Sequence, residues 1–161
     1  MLKIFNDLKP FFEDVYRDIS VREYSRIVGI SPPTASVLLN EFSKEGILIR
    51  KKNKVYLNFR ANRQSFLFID LSKVFWKQIL RQELGKLQNT FLYREIVLFG
   101  SLAKCENNSE SDIDLFVDIP KKNIDLSLIE KKLKRNIQIH FSDAKKNNLL
   151  LENIQQGVRV I

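Results

Sequence analysis

Apolar residues at helical spacing open the chain: Leu2, Phe5, Leu8, Phe12, Val15 and Tyr16 recur along one face from Leu2 to Tyr16. Pro10 interrupts them, which predicts either a kinked helix or a turn followed by a helix starting at Pro10. Ser20 and Glu23 have the spacing of a capping box, so a short helix to about Val28 is expected, ended by Gly29. Ser31 then caps a helix with Pro32 in its first position, running through Val37, Leu38, Leu39 and Phe42 to Lys44. After the turn at Glu45-Gly46 the period drops to two. Ile47–Arg50 reads as a strand, Lys51–Lys54 as a turn and Val55–Phe59 as the returning strand.

Leu71, Val74, Phe75 and Ile79 return to helical steps and predict a long amphipathic helix with Asp70 or Ser72 near its start. Asn62 to Ile69 is ambiguous, because the β-like run Phe66–Ile69 also suits an extension of the sheet. Ile96–Phe99 is a short apolar strand ending in Gly100-Ser101, which opens a helical turn, Leu102 to Cys105. A polar loop, Glu106–Ser111, leads to the strand Asp112–Val117. A helix from about Leu126 to Arg135, capped by Asp125 or Ser127, precedes the strand Asn136–Phe141. Ser142 is expected to cap a helix through Ile154, ended by Gly157, with an apolar tail, Val158–Ile161.

The period of two gives the second half its chemistry. It places Ile113, Leu115 and Val117 on one strand face and Asp112, Asp114 and Phe116 on the other. Two carboxylates ~7 Å apart along one face repel unless a cation lies between them. Hard divalent ions with oxygen ligands fit, Mg²⁺ (or Mn²⁺) first. At Gly100-Ser101, close backbone approach, a hydroxyl and free N–H groups make a phosphate-binding arrangement. Metal on two carboxylates beside a triphosphate is the working arrangement for phosphoryl or nucleotidyl transfer.

Composition narrows the setting. The chain has 161 residues, room for one ordinary domain or two small ones, and 44% of them are hydrophobic, which excludes wholesale disorder. The net charge of +8 favours an acidic partner. That excess is uneven: residues 1–62 carry 11 Lys+Arg against 7 Asp+Glu, whereas residues 93–161 carry 11 against 10. The only cysteine, Cys105, excludes an intrachain disulfide, and with one His it excludes a Cys/His zinc site. No apolar run is long enough to span a membrane and no signal-peptide pattern is visible, so a cytoplasmic protein without a membrane partner is expected.

Two resemblances follow from these residues. The stretch SVREYSRIVGISPPTASVLLNEFSKEGILIRKKNKVYLNF resembles the winged helix-turn-helix domains of archaeal and bacterial transcriptional regulators. That resemblance implies DNA contact through the start of the third helix, at Pro32, Pro33, Thr34, Ser36 and Val37. Arg50, Lys51, Lys52 and Lys54 would meet phosphate from the wing. Pro33 and Val37 are poor hydrogen-bonding readers of bases. Winged helices also serve as protein–protein modules. The second stretch, LFGSLAKCENNSESDIDLFV, resembles the Gly-Ser … Asp-x-Asp signature of the DNA polymerase β-like superfamily, closest to the minimal nucleotidyltransferases. It implies Gly100 and Ser101 as nucleotide binders, Asp112 and Asp114 as metal ligands, and Lys104 as a point charge for phosphate. Two departures stand out. Cys105 occupies the place of a frequent glycine. The strand that carries a third carboxylate in active members offers Gln138 and His140 instead, and only His140 is able to act as a base.

The expected fold class is thus α+β: a winged helix-turn-helix domain over 1–62, a connecting amphipathic helix over 63–92, and a small mixed-sheet nucleotidyltransferase domain over 93–161. The leading reading is a Mg²⁺-dependent enzyme moving a nucleoside monophosphate from NTP to a hydroxyl of a protein, nucleic acid or small molecule. The rival is a DNA-binding regulator with a weak or inactive nucleotide-binding domain. A third is an antitoxin-type protein that modifies or masks a toxin partner. A homodimer is expected if the winged helix reads a palindrome.

Overall fold

Phe5, Leu8 and Phe12 settle into one helix, α1 (Lys3–Glu13), which runs through Pro10 rather than starting there, while Leu2, Val15 and Tyr16 lie outside it. A computed structural model of the chain describes residues 2–52, 57–87, 89–91 and 94–161, with residues 145 and 146 described for their backbone only. These residues fall into two compact units, Met1–Ser72 with Asn107–Ser109, and Lys73–Glu106 with Glu110–Ile161. Each unit mixes helices with one sheet.

In the first unit, α1 leads to a two-residue strand, β1 (Ile19–Ser20), then α2 (Val21–Val28) and α3 (Pro32–Lys44). The caps follow the sequence. The Ser20 hydroxyl accepts from Glu23 N–H at 3.2 Å and the Ser31 hydroxyl from Thr34 N–H at 3.3 Å. Gly29 ends α2 at φ +75°. The Glu23 side chain does not complete the capping box; it pairs with Arg17 at 2.5 Å. Strands β2 (Leu48–Lys52) and β3 (Leu57–Ala61) pair antiparallel, with Leu48 opposite Ala61 and Lys52 opposite Leu57. β2 starts one residue and ends two residues later than the alternation suggested, and β3 runs two residues past Phe59; the rest of the expected turn and the start of the returning strand, residues 53–56, lie outside the described residues. β1 adds to the free side of β3, giving the order β1-β3-β2. Leu8, Phe11, Phe12, Ile19, Tyr24, Leu39 and Phe59 are fully buried in this unit. Burying such side chains contributes about 1.5–3 kcal/mol each. The Tyr24 hydroxyl donates to the Asp7 carbonyl at 2.9 Å, and burial followed by the Asp7 charge pushes its pKa well up.

Helix α4 (Phe66–Leu84) begins earlier than Asp70 or Ser72. Ser65 accepts from Phe68 N–H, and Phe66–Ile69 is helical rather than an extension of the sheet. The unit boundary crosses this helix between Ser72 and Lys73. None of the helices among the described residues is long and apolar enough to cross a membrane.

The second unit holds a four-stranded sheet of β4 (Ile96–Phe99), β5 (Ile113–Val117), β6 (Ile137–His140) and β7 (Val158–Arg159), in the order β6-β5-β4-β7. β4 pairs antiparallel with β5 and β7, while β5 and β6 run parallel. One turn of helix, α5 (Gly100–Ala103), follows β4, and α6 (Ser127–Leu133) precedes β6. Ser142 starts a 3-10 turn instead of the last helix. Helix α7 (Asn148–Gln155) is capped by the Asn147 side chain, which accepts from Leu150 N–H at 3.2 Å. A Cβ on Gly157 would lie 2.5 Å from Val97 Cγ1 and 2.6 Å from the Leu98 carbonyl oxygen. That residue must therefore be glycine for the chain to pass from α7 into β7. Ile96, Leu98, Ile113, Leu115 and Val117 are buried along one face of the sheet. The opposite face packs Phe99 and Phe116 against Ile154 and Leu150 of α7.

Candidate active site

Antiparallel pairing of β4 with β5 sets Phe99 opposite Asp114, so the residue after Phe99 arrives beside that carboxylate. Gly100 takes φ +73°, and a Cβ there would collide with Asp114 Oδ2. Gly100 thus serves two steric demands at once, a left-handed backbone and a side chain lying against its α-carbon. Ser101 follows in the helical turn, half-buried, its carbonyl accepting from Glu106 N–H at 2.8 Å. Cys105 is buried at φ +54°, a conformation that favours glycine. Lys104 is exposed, and its ammonium donates to Asn153 Oδ1 on α7 at 2.5 Å.

Parallel pairing of β5 with β6 brings Gln138 opposite Asp114 and His140 opposite Phe116. Both reach the carboxylates. The Gln138 amide donates to Asp112 Oδ2 at 2.6 Å, and the Asn136 amide donates to Asp112 Oδ1 at 3.2 Å. His140 Nε2 stands 3.7 Å from Asp114 Oδ1, too long for a hydrogen bond. That nitrogen is buried and has no hydrogen-bond partner among the described residues. The His140 ring packs edge-on against Phe99, with centroids 5.0 Å apart.

The Asp114 carboxyl is held above the usual carboxylate range. Burial is the main cause; the His140 imidazole pulls the other way and the Asp112 charge adds to the rise. Among the described residues no three His, Cys, Asp or Glu side chains are gathered around one ion-sized point. Asp112 is turned to its two amide donors, while Asp114 and His140 face each other. Donors about 2.1 Å from a common ion stand at most about 4.2 Å apart, so the 3.7 Å between Oδ1 and Nε2 fits a shared cation. Release of Asp112 from Gln138 would supply a further oxygen.

Two positioning residues escaped the sequence reading. Arg135 is buried, donates to the Ser111 carbonyl at 2.5 Å, and lies over the Trp76 ring at 5.4 Å. It fixes the chain just before Asp112. Asn107, fully buried in the first unit, donates to the carbonyls of Phe12 at 2.8 Å and Glu13 at 3.1 Å. Its own carbonyl accepts from Val15 N–H at 3.1 Å. A hollow of about 490 Å³, lined by Val97, Phe116, Ile154 and Arg159 among others, lies farther along the same sheet face.

The positions expected to touch DNA are differently placed. Pro32, Pro33, Thr34 and Val37 are exposed on α3, but the Thr34 hydroxyl bonds to that of Ser31 at 2.8 Å. The Ser36 carbonyl accepts from the Asn40 amide at 2.7 Å. Arg50 and Lys52 are exposed. Lys51 pairs with Asp18 at 3.7 Å, and that carboxylate also takes both arms of Arg60 at 2.7 Å. Lys54 lies outside the described residues.

A family model described as a nucleotidyltransferase domain matches residues 77–160, just over half of the chain. A protein of Methanocaldococcus jannaschii, provisionally named a protein adenylyltransferase, is 40% identical over 47 residues. Those residues are 29% of this chain and 47% of that protein, so the likeness spans about half the relative's length. No solved structure matches the chain at a significant level. The matched span contains β4 to β7 with Gly100, Asp112 and Asp114, and the chain belongs to the nucleotidyltransferase domain family.

Proposed function

We propose that the chain transfers a nucleoside monophosphate from an NTP to a hydroxyl group, with ATP as donor and a protein side chain as acceptor. The observation that carries this reading is the contact of Gly100 with Asp114 at one end of the β4–β5 pair, with Ser101 next along the chain and Asp112 two residues before that carboxylate. The acceptor class rests on the name of the M. jannaschii relative. Gly100 and Ser101 would hold the triphosphate, and Lys104 would add positive charge once freed from Asn153. Asp112 and Asp114 would hold Mg²⁺ or Mn²⁺, which when bound neutralises the phosphates and the departing pyrophosphate. In the reaction the acceptor oxygen bonds to the α-phosphorus. The bond from that phosphorus to the oxygen bridging to the β-phosphate breaks, and pyrophosphate leaves with the electron pair. The hydroxyl proton goes to solvent, because Gln138 stands where a third carboxylate would take it. Slow turnover follows, since a positioned base contributes about 10²–10⁴-fold.

A second reading, a nucleotide-binding regulator with little turnover, is favoured by the amides of Gln138 and Asn136 on Asp112, which satisfy that carboxylate without a cation. In both readings the first unit is a winged helix. Support comes from three helices followed by a ribbon, with β1 closing the sheet. Exposed Arg50 and Lys52 suit phosphate, and exposed Val37 suits a protein surface. Incubation with α-labelled NTPs, Mg²⁺ or Mn²⁺ and cell extract separates the readings. The enzyme labels an acceptor and releases pyrophosphate, and Asp112→Asn abolishes both. Salt-sensitive DNA association with nucleotide bound but no label transferred supports the regulator.

A further inference from the structure

His140 carries a buried nitrogen that has no hydrogen-bond partner among the described residues and stands 3.7 Å from Asp114 Oδ1. We infer that His140 Nε2 is a metal ligand, and that this nitrogen turns the site from Mg²⁺ toward a first-row transition dication such as Mn²⁺. The inference rests on the metal–nucleotide reading of Asp112 and Asp114. An unpartnered buried polar atom carries a desolvation cost, which a ligand offsets. Two geometric facts bear on what that ligand is. The 3.7 Å separation from Asp114 Oδ1 suits two donors on one cation. The edge-on Phe99 ring, 5.0 Å away, and the β5–β6 register hold the imidazole in place before any ion arrives.

Base chemistry accounts for the geometry less well. The nitrogen points at the carboxylate that would hold the ion rather than away from it. The donor set then decides the ion. Mg²⁺ demands oxygen ligands in near-octahedral array and sheds water reluctantly. An imidazole beside a carboxylate is a mixed nitrogen–oxygen site, whose affinity rises along the first-row series beginning at Mn²⁺. Gln138 works in the same direction. Its amide holds Asp112 at 2.6 Å, so the Asp114–His140 pair is the part of the site already facing an ion.

The test titrates the full chain with Mn²⁺, followed by electron paramagnetic resonance, with Mg²⁺ as competitor. Wild type, His140→Ala and His140→Asp are compared, each checked for folding by thermal melting. The expected result is Mn²⁺ bound about tenfold or more tighter than Mg²⁺, with ¹⁴N coupling in the pulsed spectrum. His140→Ala loses the coupling and about tenfold in Mn²⁺ affinity. His140→Asp binds without the coupling and recovers Mg²⁺. Mn²⁺ bound without ¹⁴N coupling, at equal affinity in wild type and His140→Ala, overturns the inference while leaving the metal reading intact. No Mn²⁺ bound to wild type overturns both.

Discussion

Gly100 and Asp114, fourteen residues apart in sequence, share one volume: a side chain at position 100 would occupy the space of the Asp114 carboxylate. The two halves of the candidate site are therefore interlocked by sterics. Gly100→Ala must both strain a backbone at φ +73° and displace the carboxylate. Thermal or urea unfolding should register a loss of about 1–3 kcal/mol. Metal affinity should fall by at least tenfold, because a displaced ligand no longer meets the ion. An unchanged melting curve with intact metal binding would show that the two residues do not touch.

Asp114→Asn should act in the opposite sense on stability. Burial raises the folded-state pKa of Asp114 above its unfolded value, so ionising it costs stability, and that cost is present above the folded pKa. It is relieved as pH falls through the folded pKa toward the ordinary carboxylate range. The isosteric amide removes the charge and keeps the shape. Unfolding at pH 7 should show a gain of roughly 1 kcal/mol, shrinking as pH falls through the folded-state pKa, with metal binding lost. A variant less stable than wild type at pH 7 would contradict the burial argument.

The amide of Gln138 competes with a cation for Asp112. Gln138→Ala removes the competitor, and metal affinity should rise about fivefold, the equivalent of one exposed charged hydrogen bond near 1 kcal/mol. Calorimetric titration of both proteins measures this. A fall in affinity would mean that Gln138 instead lends its carbonyl oxygen to the ion.

Asn107 donates to two backbone carbonyls at the end of α1, those of Phe12 and Glu13. Asn107→Ala should cost about 2–4 kcal/mol, seen as a lower midpoint in urea. A change within 0.5 kcal/mol would show those carbonyls satisfied by water.

Local signals were readable without the structure. Gly29, the Ser31-Pro32 cap and the alternation of Asp112 to Val117 each act within a few residues, so their physics is written in adjacent letters. Nucleotidyltransferase membership was legible for the same reason, from Gly100-Ser101 and Asp112-Ile113-Asp114. What escaped depends on long separations. Asn107 meets Phe12 across 95 positions, and Arg135 meets Ser111 across 24. The start of α4 was hidden because Phe66–Ile69 is apolar throughout. Phe68 is fully buried and Phe66 is 84% exposed, a helical contrast no string of letters displays. Ser142 and Asn147 are both good caps in one polar run, and only the 3-10 turn between them selects Asn147. β1, two residues long, exists because β3 has a free side to pair.

Nucleotidyl transfer itself is tested most directly by supplying ATP labelled at either the α- or the γ-phosphorus, with Mn²⁺ and cell extract, and asking which label becomes covalently attached to protein. Attachment is expected from α-labelled ATP alone, with the γ label recovered in pyrophosphate and no attachment in Asp112→Asn. Attachment from γ-labelled ATP, or equal labelling by wild type and Asp112→Asn, would contradict it.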